Sequence, residues 1–279
     1  MLQSTRQRPA PRTVPRQPVG DLLRSWRKRR GLSQLDLACE ADISTRHVSF
    51  LETGRSQPSR TMLLHLSERM DIPLRDRNAL LVAAGFAPVF SEHRLEDPEM
   101  QAARQAVDLV LTGHEPHPAL AVDRHWNLVA ANRALAPLLA GAAAELLQPP
   151  VNVLRLSLHP SGVAPRIENL AQWRDHILHR LVRQIDVSAD PVLVALHEEL
   201  KAYPVPAGHM EEASPDPNVP APSVVVPLRL RTDAGTLSFF STTTVFGTAV
   251  DVTLSELAIE AFFPADAATA EAMRRALSP

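Results

Sequence analysis

The chain has 279 residues, of which 45% are apolar, 22% charged and 4% aromatic, and its net charge is −2. It is long enough for one large domain or two ordinary ones, and too apolar for wholesale disorder. Its one cysteine, Cys39, excludes an intrachain disulfide and a cysteine zinc cluster, and points to a reducing cytoplasm. The charge is unevenly spread. Residues 1–90 carry 15 Lys and Arg against 8 Asp and Glu, an excess of +7, and the rest of the chain carries −9. A basic head suits a polyanion, whereas the acidic body does not. The first eighteen residues hold no apolar run, which argues against a secretory signal. The most apolar stretch, residues 134–144, is too short to span a bilayer.

In chain order, residues 1–18 read as a flexible basic arm: Pro9, Pro11, Pro15 and Pro18 alternate with Arg6, Arg8, Arg12 and Arg16. Residues 19–86 read as five short helices. Leu22, Leu23 and Trp26 mark the first, which stops at Gly31. Ser33 caps the second, with Leu35, Leu37 and Ala38. Ser44 caps the third, whose apolar positions are Val48 and Leu51, and Gly54 stops it. Pro58 and Ser59 precede the fourth, and the fifth runs from Leu74 to Ala84. Residues 87–104 read as a linker that leads into a helix.

From Ala119 the pattern changes. Two short strands, 119–122 and 128–131, flank Asp123-Arg124. Helices are expected over 133–147, 151–158, 164–185 and 191–202. Six prolines make 204–222 a loop. Val224, Val226, Leu228 and Leu230 alternate with less apolar neighbours and predict a strand. Turn residues 232–235 and a second strand, 236–246, complete a hairpin. A third strand over 250–259 and a helix over 265–277 close the chain.

Only three or four residues separate the second and third helices, the spacing of a helix-turn-helix. The second member of such a pair fits the DNA major groove, which is about 12 Å wide. Arg46, His47 and Ser49 fall on its outer face, and Arg to guanine is the commonest specific contact. A helical hairpin with a solvated polar face explains the same pattern, but the +7 excess and the Arg27-Lys28-Arg29-Arg30 run favour DNA. The motif Leu23-Arg24-Ser25-Trp26-Arg27, Gly31-Leu32-Ser33-Gln34, Ile43-Ser44, Val48-Ser49, Leu51-Glu52-Thr53-Gly54-Arg55 and Pro58-Ser59 resembles the XRE-type, phage-repressor-like helix-turn-helix family. The resemblance implies that Gln34 touches phosphate and that Thr45, Arg46, His47 and Phe50 face bases. With Ser44, Ser49 and Arg55 these form the expected DNA-contacting set. It also implies an ion pair between Arg27 and Glu52. Asp42 stands where that family usually has Gly, and Phe50 where it has a polar residue.

Three further stretches, His117–Leu120 with Asp123–Asn127, Leu154–Pro160 and Leu237–Thr244, resemble the ligand-binding domain of MmyB-like transcription regulators. That resemblance implies a PAS-like α/β domain over 105–279 with an apolar pocket that holds a fatty acyl chain, the ligand being a fatty acid or a similar apolar effector. On a helical wheel, Arg174 falls inside the apolar half formed by Trp173, Ile177 and Leu181. An arginine there needs an anion: an internal salt bridge or a ligand carboxylate. The expected ligand contacts are Trp126, Trp173, Arg174, Ile177, Leu181, Phe239 and Phe240. His176 and His179 fall on the polar face with no third ligand at metal spacing, so no metal site is expected. No nucleophile elbow, phosphate loop or paired carboxylates point to catalysis, so no catalytic residue is expected. The reading is a cytoplasmic, non-enzymatic regulator that binds double-stranded DNA as a homodimer, has no membrane partner, and senses a small, largely apolar ligand. A protein-docking adaptor is the alternative.

Overall fold

The computed structural model describes residues 18–204, 226–233 and 235–277. The expected arm up to Gln17, the proline-rich loop beyond Pro204, and Val224, Val225 and Ala234 of the expected hairpin lie outside the described residues. The chain divides between Val89 and Phe90 into two compact units.

In the first unit, helices α1 (Val19–Arg29), α2 (Gln34–Glu40), α3 (Thr45–Glu52), α4 (Arg60–Arg69) and α5 (Leu74–Ala83) follow one another closely. Ser33, Ser44 and Ser59 each accept a hydrogen bond from the backbone N–H three residues on, and the Asp36 carboxylate in turn accepts from the Ser33 N–H, completing a capping box. Each cap satisfies an orphan donor at a helix start, worth about 0.5–2 kcal/mol. Asp42 turns the chain between α2 and α3 at φ 52°, a conformation Asp adopts more readily than most side chains. Leu23, Trp26, Leu37, Val48, Leu51 and Leu63 are buried in one cluster. Gly20 lets α1 reach the end of α3, because a Cβ there would lie 2.6 Å from the Leu51 carbonyl oxygen.

The second unit is built on a five-stranded antiparallel sheet of β1 (Ala119–Val122), β2 (Leu128–Ala131), β3 (Leu228–Thr232), β4 (Gly235–Val245) and β5 (Ala258–Pro264), in the order β2-β1-β5-β4-β3. Period-2 alternation sends Leu237 and Phe239 to one face. There they join a large core with helices α7 (Val153–Leu158), α8 (Leu170–Ser188) and α9 (Pro191–Ala202). The opposite face is covered by Val107 and Leu111 of α6 (Gln101–Gly113) and by Leu257, which follows the one-turn helix α10 (Val252–Ser255). Helix α11 (Ala267–Leu277) adds Met273 to the large core.

Four expectations change. The helix expected over 133–147 is two 3-10 turns, Ala136–Leu139 and Ala144–Leu147. Pro137 removes a donor, and Gly141 at φ 82° turns the chain between them. The helix expected over 164–185 is a 3-10 turn followed by α8, which begins only at Leu170. Asn169 breaks it: its Oδ1 accepts from the Arg229 N–H and its Nδ2 donates to the Pro227 carbonyl, tying the chain to β3. The strand expected over 250–259 begins only at Ala258, because Asp251 caps α10 first. Within the expected linker, the Ser91 carbonyl accepts from Val252 N–H, and the backbone N–H and ring Nδ1 of His93 reach the Asp251 carboxylate, so this stretch is held on the second unit.

Candidate functional site

Helix α3 buries Val48, Leu51 and Glu52 and turns its other side outward: Arg46 is exposed, and Thr45, His47, Ser49 and Phe50 are partly so. Phe50 is flanked by cations. The Arg46 guanidinium carbon lies 5.1 Å from its ring centroid and that of Arg55 lies 5.9 Å away. Such contacts hold two long side chains near one orientation before any ligand arrives, each worth about 0.5–1 kcal/mol at an exposed site. Arg46, Phe50 and Arg55 thus form one cluster, whereas Ser44 is occupied as the cap of α3.

Beneath this surface, Arg27 Nε and Nη2 donate to the Glu52 carboxylate at 2.5 and 3.0 Å, and Nη1 donates to the Leu32 carbonyl at 2.7 Å. Both residues are under 10% exposed. Burial favours the protonated Glu52, but hydrogen bonds from Arg27 and Gln34 and the charges of Arg27 and Arg24 outweigh it and hold the carboxyl below its ordinary pKa. Gln34 Nε2 donates to Glu52 at 2.8 Å, so its amide nitrogen is turned to the pair at the start of α2. Of the basic run, Arg27 and Arg30 do structural work: Arg30 donates to the Met70 and Asp71 carbonyls at the end of α4. Arg29 lies over the Trp26 ring at 4.5 Å.

The second unit holds a cavity of about 120 Å³ between the sheet and α7 and α8. That is the order of size at which an apolar hole of ~150 Å³ takes up benzene rather than water. Leu135, Leu138, Leu154, Ile167, Ile177 and Phe262 contribute to its apolar lining, and Trp126 and Trp173 also face it. Its polar wall is Ser157, His176, Arg180, Ser241 and Glu260. Arg180 donates through Nη1 to Glu260 Oε2 at 3.0 Å and through Nη2 to Oε1, and its guanidinium lies 4.5 Å from the Trp126 ring centroid. Trp126 sits at φ 68°, an outlier for a bulky side chain. Asp123 stabilises that turn by accepting from the His125 and Asn127 N–H groups at 2.8 Å, and the indole N–H donates to Gln184.

Of the expected ligand contacts, Trp126, Trp173 and Ile177 line the cavity. Arg174, Leu181, Phe239 and Phe240 do not. Leu181 and Phe239 are fully buried behind the lining. Phe240 is on the opposite face of the sheet, stacked on Phe263 at 5.3 Å. Arg174 donates to the Lys201 carbonyl at 2.6 Å, satisfying the last turn of α9 rather than facing a ligand. His176, expected on the polar face, instead lines the cavity and stacks on Trp173 at 5.5 Å. Burial first, then the charges of Arg180 and Arg183, push its pKa down. Among the described residues no group of three or more His, Cys, Asp or Glu is placed to hold a metal ion, and no helix is long and apolar enough to cross a membrane.

Arg180, Glu260 and Ser241 line the cavity without being among the expected contacts. One signal was present: Trp173, His176, Ile177 and Arg180 fall at i, i+3, i+4 and i+7, one face of α8. Glu260 is the one carboxylate within the run of β5, on the face that carries Phe262.

A helix-turn-helix unit followed by a unit with an apolar cavity, together with the two profiles that match them, define the class: a DNA-binding transcription regulator with a ligand-sensing domain. A helix-turn-helix family profile matches residues 23–76. A second profile, the MmyB-like transcription regulator ligand binding domain, matches residues 103–276. The chain belongs to that family of MmyB-like transcription regulators, with an XRE-type helix-turn-helix at its head. No curated protein matches the chain.

Proposed function

We propose that the chain is a sequence-specific, ligand-responsive regulator that binds an inverted DNA repeat as a homodimer. In this reading α3 enters the major groove, with Arg46 and His47 at base edges, Phe50 against a thymine methyl, and Gln34, Ser44 and Arg55 near the backbone. The second unit, with its PAS-like antiparallel sheet, senses a small, largely apolar molecule with a fatty acyl chain. The observation that carries the ligand half is the cavity: sixteen aliphatic and aromatic side chains converge on a space that only a few polar groups also line. Ligand acts only by binding the DNA-competent and DNA-incompetent states unequally.

The test is native mass spectrometry of the purified chain, followed by fluorescence anisotropy on an in-vitro-selected DNA site before and after removal of any bound molecule. A dimer carrying an apolar small molecule, whose removal shifts DNA affinity by several fold, is expected. An empty protein whose DNA affinity no apolar extract alters would refute the sensing role.

A further inference from the structure

The two charged residues in the cavity wall cancel each other. Both Nη groups of Arg180 are turned to the Glu260 carboxylate, and Nη2 also reaches Thr243 Oγ1 at 2.6 Å. The Thr243 hydroxyl in turn donates to Glu260 Oε1 at 2.8 Å. Glu260 is 4% exposed, so this pairing is what keeps its charge tolerable there. The neutral groups of the same wall remain open. Among the described residues neither the Ser241 hydroxyl nor the His176 ring nitrogens has a hydrogen-bond partner. His176 is pushed towards its neutral form, so its ring offers one donor and one acceptor. Arg183, the next cation along α8, is exposed.

We propose that the cavity selects a ligand with an aliphatic body and an uncharged polar head, such as an alcohol, ester, lactone or amide, over the carboxylate of the same chain length. This rests on the apolar-ligand reading above and names its head group. A ligand carboxylate would bring a second anion beside the 4% exposed Glu260, with one guanidinium to share between them. Like charges so placed disfavour one another strongly. An uncharged head instead finds donors and acceptors on Ser241 and His176 and leaves the Arg180–Glu260 pair undisturbed. The selectivity comes from rejection as much as attraction.

The experiment uses the full chain, cleared of co-purified lipid on a hydrophobic resin, at pH 8, where a fatty carboxylate is ionised. Decane, decan-1-ol, the ten-carbon δ-lactone and decanoate are titrated below their aggregation limits. Binding is read by tryptophan fluorescence, since Trp126 and Trp173 line the cavity, and by thermal shift. The alcohol and lactone are expected to bind at least tenfold tighter than decanoate. Ser241→Ala is expected to weaken them several fold and leave decane unchanged. Glu260→Gln, by freeing Arg180, is expected to tighten decanoate at least tenfold; should that variant not fold, the wild-type series decides alone. Decanoate binding as tightly as the alcohol would overturn the proposal and leave the apolar-ligand reading standing, as would heads making no difference while decane binds. Failure of all four compounds would overturn both.

Discussion

Glu52→Ala is the sharpest perturbation of the DNA-binding unit. The substitution strips the bidentate partner from Arg27, which sits 7% exposed between α1 and α3, and removes the acceptor of Gln34. Arg27 keeps the Leu32 carbonyl, so its charge stays buried with one of its partners. Breaking a buried pair in this way costs about 3–5 kcal/mol. For a unit this small, each kcal/mol lowers the midpoint by roughly 4–8 °C, so a fall of at least about 12 °C is expected. Calorimetry of the full chain reads the loss, and hydrogen exchange followed by mass spectrometry assigns it to α1–α3. The pH dependence has a defined sign. Because the folded state holds the Glu52 pKa below its ordinary value, the pair stabilises fully above the ordinary glutamate range and the benefit disappears as pH falls through the folded value. The gap between wild type and variant therefore closes in acid. Arg27→Met combined with Glu52→Leu removes both charges and is expected to recover most of the stability. A fall of under about 3 °C on losing Glu52 alone would refute the reasoning, since it would price the pair like an exposed one.

Four further outcomes are expected. Arg46→Ala weakens binding to the selected site by about 1–3 kcal/mol and relaxes preference at one base position, as read by anisotropy on a panel of single-base variants. Gly20→Ala destabilises the first unit by about 1–3 kcal/mol, because the new methyl meets the backbone oxygens of Leu51 and Glu52 at 2.6 and 2.7 Å. Gly113→Ala, with nothing within 4 Å, is neutral or stabilising by up to about 1 kcal/mol in the same thermal-unfolding assay. Leu138→Trp fills the cavity and is expected to abolish ligand-induced thermal shifts; shifts of wild-type size in that variant would count against the cavity as the binding site.

The parts of this molecule that were legible in the sequence are those written by neighbours in the chain. Ser33, Ser44 and Ser59 mark helix starts because a hydroxyl there meets a backbone N–H three residues away. The alternation about Leu228 and Leu230 marks a strand because period 2 needs no distant partner. The exposed face of α3 follows from Val48 and Leu51 alone. What was not legible depends on distant residues. Asn169 ends one segment and opens α8 through bonds to Pro227 and Arg229, about sixty residues on. Arg174 reads as a core cation on a wheel, yet its partner is a carbonyl of α9. Arg180 was not singled out because its partner Glu260 lies eighty residues later and is brought beside it by β5. A helical wheel has no knowledge of which neighbour covers which stripe, so His176 and Arg174 exchanged roles.

If α3 reads base edges in duplex DNA, selection from a random duplex pool by the purified full chain enriches one motif with two-fold symmetry, bound with an affinity that falls steeply with salt, and Arg46→Ala selects a pool with a changed base preference. A pool that stays random through repeated rounds, or a motif that survives unaltered with the exposed face of α3 replaced by alanine, would contradict it.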